Sequence, residues 1–421
     1  MNSMPLQLPV PKNDVASSIA YLFSGTTLSQ GLNAIALLLT ARQLGPEAYG
    51  QYSSALVLMG IISIFYNLGL NVWFIHESNR QPEHLGILLG SALAIKFAFG
   101  FIFVIIILAL SETFSSSVIP GDLLRLTALL VFLDNLFLTL ITAFKASLHN
   151  QLTSIFMTVS DVAWVILTII MVRQGNNQVN DYMLMRGGVM LASVFIAGIF
   201  VAYWYRPRVA FSAARQAFRQ AMPFAASEFL TMSAMRIDVL IVAFYLGKAA
   251  AGLYSPAVSL VNALFMPVNA ISGVFFPVLS GLFARDLAQA WKVAKKSIWL
   301  HLGAGALLTI GIVGGAKYLV AFLGSRFAGS LEVLYILSAI IFIHALIFAL
   351  TNVLIATGQQ NKRAALQLIA VVLNVVLNIA VVRRHGIQGV AYVYLVTEIF
   401  LLTSYALALR LNCPRGGLID D

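Results

Sequence analysis

Leu44-Gly-Pro-Glu-Ala-Tyr-Gly-Gln-Tyr-Ser-Ser-Ala55 and Leu246-Gly-Lys-Ala-Ala-Ala-Gly-Leu-Tyr-Ser-Pro-Ala257 are one corner written twice, identical at seven of twelve positions without a gap. The offset is 202 residues in a chain of 421. Each copy follows a long apolar segment and leads into another, and the glycines fall at matching positions, Gly45 with Gly247 and Gly50 with Gly252. A corner that recurs at half the chain length marks an internal duplication, and a duplicated half presents the same kind of surface to its twin. The expectation is two related halves with the functional site between them.

Composition names the solvent of those halves. Hydrophobic residues make up 60% of the chain and charged residues 10%, more apolar surface than a water-soluble domain of this length can bury. Segments of roughly 20 apolar residues, enough to cross a hydrocarbon core as helix, follow one another with little interruption. Strand-period alternation is absent, which argues against a barrel. The predicted fold is therefore all-α, with twelve transmembrane helices in two six-helix lobes. Spans are placed near 17–40, 49–72, 87–110, 122–145, 150–172 and 184–205, then 223–246, 252–281, 297–320, 333–356, 365–382 and 390–410. An even number of spans per repeat makes both copies enter from the same side, so the repeat is parallel. The predicted division is an N-terminal lobe over 1–205, a linker over 206–222 and a C-terminal lobe over 223–421.

Lysine and arginine orient the chain. With both termini inside, the cytoplasmic segments hold fifteen of the 26 and the outer side nine, Arg186 among the latter, while Lys96 and Arg236 fall within spans. The net charge of +10 thus reads as topology and lipid contact, and no nucleic-acid partner is expected. Cys413 is the only cysteine, which rules out a disulfide framework or a thiolate metal cage. The polar lead ending in Lys12-Asn13-Asp14 lacks a small-residue cleavage site, so the first apolar segment is expected to stay as the first helix. The linker is bracketed by Pro207 and Pro223. Its Phe211, Phe218 and Met222 recur at helical spacing beside Arg208, Arg215 and Arg219, a pattern for an amphipathic helix at the cytoplasmic headgroups. A basic tether shaped only by the positive-inside bias fits the same residues.

No phosphate loop, HExxH, GxSxG or cysteine–histidine cluster occurs in the sequence, so no cofactor, no metal and no catalytic residue is expected, and the chain is not read as an enzyme. Every loop is too short to hold a water-soluble catalytic module. Chemistry is left to ionisable residues inside apolar spans, which are costly unless paired or beside water. Lys96 lies about ten residues into its span, about 15 Å along a helix. Facing a gap between the halves it would attract a phosphate, whereas in a later-starting span it would snorkel to the surface. Arg236 and Asp238 share the seventh span with Glu228; two residues apart, they point to different sides and make a poor mutual pair. A guanidinium there could grip a diphosphate, and a carboxylate could bind a proton or sodium ion. An interhelical salt bridge is the structural alternative. Asp134, Asp161 and Glu398 fall near the middle of other spans, where coupling to an ion and structural pairing both fit. The lone histidines His301 and His344 read as packing residues.

At several motifs the chain resembles the polysaccharide-biosynthesis branch of the multidrug/oligosaccharidyl-lipid/polysaccharide exporter superfamily, the Wzx-type flippases. The resemblance rests on Ala41-Arg-Gln-Leu-Gly-Pro-Glu-Ala-Tyr-Gly-Gln-Tyr-Ser53, Asn67-Leu-Gly-Leu-Asn-Val-Trp-Phe-Ile-His-Glu77 and Arg236-Ile-Asp-Val-Leu-Ile-Val-Ala-Phe-Tyr-Leu-Gly247 with Gly252-Leu-Tyr-Ser255. Ala356-Thr-Gly-Gln-Gln-Asn-Lys-Arg363, Asn374, Asn378 and His385-Gly-Ile-Gln-Gly389 complete it. His76-Glu-Ser-Asn-Arg80 departs from the branch's more usual arginine-containing pattern.

The resemblance implies a two-lobed transporter with a positively lined cavity. Such a protein moves an undecaprenyl-diphosphate-linked oligosaccharide across the bacterial cytoplasmic membrane by alternating access. Lys96 and Arg236 are then the substrate-binding cations, and Asp238, Glu228, Asp161 and Asp134 the ion-coupling groups or charge partners. The partners implied are lipid-linked oligosaccharide, membrane lipids, and a glycan polymerase with other polysaccharide-assembly proteins, and the chain is expected to act as a monomer. A multidrug exporter of the same superfamily is the second reading, disfavoured by cationic residues at Lys96 and Arg236. A membrane glycan polymerase or ligase is a third, disfavoured by the absence of a large outer loop.

Overall fold

A computed structural model describes residues 15–283 and 285–412. The lead ending at Asp14, Cys413 and Arg415 lie outside the described residues. Every regular element among the described residues is helical.

The duplicated corner turns without a loop. Helix α1, Val15–Ile62, runs through the first corner and is broken only at Gly45 (φ 74°, ψ 172°), a conformation available in practice to glycine alone. Pro46 then opens the next segment, where its missing N–H leaves no bond unmade. At the second corner Gly247 (φ 87°) separates α8, Phe211–Leu246, from α9, Lys248–Phe283. The repeated sequence thus encodes a repeated backbone turn. After α1 the expected second span breaks again into the short α2, Ile64–Asn67, and α3, Leu70–Arg80, across Leu68 and Gly69, both with positive φ.

The first half continues with α4 (Leu85–Leu110), α5 (Gly121–Ala146), α6 (Asn150–Arg173) and α7 (Val179–Tyr205). Beyond α9 come α10 (Leu287–Leu323), α11 (Ser330–Ala356) and α12 (Gln360–Asn412), the last broken at Gly386 (φ 60°, ψ −151°). As continuous runs, nine helices among the described residues are long and apolar enough to cross a membrane; α8 is a tenth if its two parts, Phe211–Leu230 and Met235–Leu246, bent by 57° to one another, are taken as one span. The expected twelve spans differ because α1 and α12 each carry two of them on either side of one glycine. No loop parts the first from the second or the eleventh from the twelfth.

Over the expected linker, 206–222, the chain enters α8 with no loop before the next span. Helix α8 begins at Phe211 and passes through Pro223; alanine at 213, 214, 217 and 221 is the best helix former, and that propensity carries the helix across the proline. The chain divides into two compact units inside α8, Met1–Met232 and Ser233–Asp421.

Each unit is built around the helix that carries the fourth expected span of its half. In the first, α5 packs against α1, α4, α6 and α7; in the second, α11 packs against α9, α10 and α12. The most apolar stretch of α5 is 78% buried against 22% for each of α4, α6 and α7, so α5 is the core and the others form the lipid-facing wall. That wall explains α4, whose Phe97, Phe101, Ile102, Ile105 and Ile106 point outward; apolar residues on the outside of a helix are the expected surface where the solvent is hydrocarbon.

Candidate functional site

The break between α2 and α3 builds the first charged cluster. A side chain on Gly69 would place its Cβ 2.5 Å from the Ala225 nitrogen, so only glycine lets the backbone of α8 approach this closely. On either side of the break Asn67 and Asn71 turn to different neighbours. Asn67 Nδ2 donates to Glu228 Oε1 on α8 (2.9 Å), and Asn71 Oδ1 accepts from Lys96 Nζ on α4 (2.9 Å). Lys96 also donates to Thr139 Oγ1 on α5 (2.7 Å), whose hydroxyl in turn donates to the Asn135 carbonyl (2.9 Å).

Lys96, read as a deep cation, is 0% exposed and bonded within the first unit. It neither snorkels nor lines open space; an ammonium at that depth is held by two oxygen acceptors and by the charge of Glu228. Glu228 Oε2 is buried without a hydrogen-bond partner among the described residues. The motif Asn67-Leu-Gly-Leu-Asn71 carried the signal for this cluster, two amides flanking a helix-breaking glycine.

A second cluster in the same unit gathers Asp134 of α5 and Asp161 of α6 around a residue the sequence reading misplaced. Arg186, counted with the outer loops because it stands at the very edge of the expected span 184–205, lies further into α7, which starts at Val179. At 1.5 Å per residue this puts it about 10 Å along the helix. Its Nη1 donates to the Tyr52 hydroxyl (3.2 Å), its guanidinium lies over the Trp164 ring (5.8 Å), and the charges of Asp134 and Asp161 act on it. Asp161 also accepts a hydrogen bond from Ser29 of α1.

The second unit separates the neighbours Arg236 and Asp238, as their spacing requires: Arg236 is exposed and Asp238 buried. Asp238 accepts from the Tyr254 hydroxyl (2.6 Å) and from the Val239 N–H (2.8 Å). Glu398 of α12 is paired with His344 of α11, Nδ1 to Oε2 at 2.8 Å, and the imidazole stacks on Phe265 at 4.1 Å. Asn374 donates to Thr397 and Asn378 to Asn374, tying α12 to itself across Gly386. His301 bonds to Ser272 and to the Ser297 carbonyl, a packing role. Among the described residues no three of histidine, cysteine, aspartate and glutamate are grouped to hold a metal ion.

The N-terminal part of α8 completes the inventory of the first unit. Its apolar side is turned to protein: Phe218 stacks on Phe99 of α4 (5.8 Å), and Gln220 Oε1 accepts from Trp73 Nε1 of α3 (3.0 Å). Just upstream the Arg208 N–H donates to the Gly86 carbonyl (3.1 Å). Arg215 and Arg219, on the face away from the buried Ala217 and Ala221, are exposed. The expected apolar stripe is thus divided, with Phe218 on α4 while Phe211 and Met222 remain exposed.

Comparison with known proteins places this architecture. Residues 15–283 match the family described as polysaccharide biosynthesis protein. The probable low-salt glycan biosynthesis flippase Agl15 of Haloferax volcanii is 23% identical over 389 residues, covering 90% of this chain and 80% of that protein. The inward closed conformation of the lipid II flippase MurJ superimposes with a TM-score of 0.73 at 14% identity, covering 92% of this chain and 87% of the other. The eukaryotic MATE transporter AtDTX14 superimposes at 0.71 and 14% identity, covering 95% and 96%. At these identities the two structures show the fold alone.

Proposed function

The chain belongs to the polysaccharide biosynthesis protein family, and from that premise we propose that it is a flippase carrying an undecaprenyl-diphosphate-linked oligosaccharide across the bacterial cytoplasmic membrane. Its multi-pass helical fold supplies the framework. The glycan head is too polar to cross lipid unaided, while the polyprenyl tail stays in the bilayer, so a hydrated path open to the side suffices and no bond is made or broken. Both termini are placed in the cytoplasm on the lysine and arginine bias.

The observation that carries this reading is the likeness to a glycan flippase over 90% of the chain. Arg236 is proposed as an exposed cation for the substrate diphosphate. Lys96 is proposed to serve it only after Asn71 and Thr139 release the ammonium. Asp238, Glu228, Asp161 and Asp134 are proposed as coupling groups, which sets an ion gradient as the energy source.

A bacterial strain lacking its own flippase, with surface glycan detected by lectin, tests the reading. The wild-type chain should restore surface glycan, and Arg236→Ala should abolish it at normal membrane abundance. Full restoration by Arg236→Ala removes that residue from the substrate path. A multidrug exporter is the second reading, favoured by the interior carboxylates Asp134, Asp161 and Asp238. It predicts resistance to organic cations in the same strain and no restored glycan.

A further inference from the structure

The cations of the first unit are of two kinds. Lys96 is held by Asn71 and Thr139, Arg186 by Tyr52, and Arg125 by Glu112 and Asp122. Arg215 and Arg219 are exposed, four residues apart on α8, and neither enters an ion pair with another described residue. Together with Phe211, Ser212, Gln216 and Gln220 they line a cavity of about 580 Å³. None of the six is acidic, and the volume falls within the roughly 300–1,000 Å³ of small-ligand sites.

This face is rigidly presented. Ala217 and Ala221 on the reverse of the helix are 0% exposed, Phe218 is stacked on Phe99, and the Trp73 indole N–H fixes the Gln220 carboxamide. A helix anchored by its apolar side loses little freedom when its polar side binds. Residues four apart on a helix have Cβ atoms about 6 Å from one another, so two guanidinium forks reach two neighbouring tetrahedral anions, each gripped through paired N–H groups. Uncharged donors on Ser212 and Gln216 beside them suit sugar hydroxyls.

We propose that this face of α8 is a diphosphate-binding site, in which Arg215 and Arg219 each take one phosphoryl group of a prenyl diphosphate and Ser212 and Gln216 meet the first sugar. The assignment rests on the flippase reading for the identity of the ligand. The uncharged donors of Ser212 and Gln216 beside the arginines distinguish it from a basic stripe for anionic phospholipid, which needs charge alone.

The test is binding of farnesyl diphosphate to the purified full-length chain in phosphatidylcholine nanodiscs. Arg215→Gln and Arg219→Gln should each weaken binding about tenfold and the double variant about 100-fold, the scale of one charged hydrogen-bonded contact per step. The double lysine variant should fall between wild type and the double glutamine variant, since an ammonium keeps charge and loses the fork. Both arginines are exposed, so the melting temperature should not change. Absence of binding by the wild type, or equal binding by the double glutamine variant, overturns the site. So does a loss seen only as weaker adsorption to phosphatidylglycerol vesicles, which assigns the arginines to the membrane surface. A wild type that binds farnesyl diphosphate through these arginines yet restores no surface glycan refutes the flippase reading and keeps the site. Restored glycan with unaltered binding in the double variant does the reverse.

Discussion

Tyr52 and Tyr254 are the same residue of the duplicated corner, both fully buried, and they serve opposite charges. In the first unit the Tyr52 hydroxyl accepts from the Arg186 guanidinium at 3.2 Å; in the second the Tyr254 hydroxyl donates to the Asp238 carboxylate at 2.6 Å. A phenol can do either, because its oxygen is both donor and acceptor. The two copies of the corner thus share a glycine with positive φ and a tyrosine, while the charge lodged against that tyrosine differs in sign. The first unit holds interior cations, Lys96 and Arg186, by neutral oxygens and the charge of carboxylates; the second holds interior anions, Asp238 and Glu398, by a phenol and an imidazole.

The largest effect should come from removing a charge that others depend on. Arg186→Met leaves Asp134 and Asp161 without their guanidinium, and breaking such a partner away costs about 3 kcal/mol, the low end of the range because Arg186 is only half-buried. Thermal unfolding in detergent should show it, and adding Asp134→Asn with Asp161→Asn should recover most of the loss. No recovery would mean that the guanidinium is there for its stacking on Trp164.

The tyrosines sharpen the comparison at intermediate size. Tyr254→Phe removes a short bond to a buried carboxylate and should cost about 2 kcal/mol, while Tyr52→Phe removes a longer bond to a half-buried guanidinium and should cost about 1 kcal/mol. Equal losses in the same unfolding measurement would erase the asymmetry drawn between the units.

An effect no larger than that of Tyr52→Phe belongs to the shared turn. Gly45→Ala and Gly247→Ala both force a side chain into positive φ, for about 1 kcal/mol each. Nothing lies within 4 Å of a Cβ on Gly247, so backbone strain is the whole cost there. Similar shifts at both corners support a common turn; a much larger one at either shows that its packing has diverged.

What the sequence disclosed and what it hid follow one physical division. Local signals were legible: apolar runs, the repeated Leu-Gly corner and the opposite faces of Arg236 and Asp238 depend on residues near one another along the chain. Helix limits were less so, since a glycine such as Gly45 or Gly386 can turn a helix without a loop, and since α7 starts on the polar residues Asn180 and Asp181, which resemble a loop. Arg186 was misplaced for that reason. Partners were hidden altogether. Nothing in the spacing of Lys96 announces Asn71 and Thr139, 25 and 43 residues away, and nothing around Tyr52 announces Arg186; such contacts exist only after α1, α4, α5 and α7 have packed. The amide pair around Gly69 was a usable clue, because two asparagines beside a helix break in an apolar span need polar neighbours.

Reconstitution tests the central claim most directly. The purified chain in phosphatidylcholine liposomes, with a fluorescent polyprenyl-diphosphate oligosaccharide placed in one leaflet, reports transfer through the fraction that an impermeant quencher reaches. Wild type should expose the label to the quencher far faster than protein-free liposomes do. A wild type that leaves the lipid-linked glycan in its starting leaflet, while carrying an organic cation across the same membrane, would contradict it.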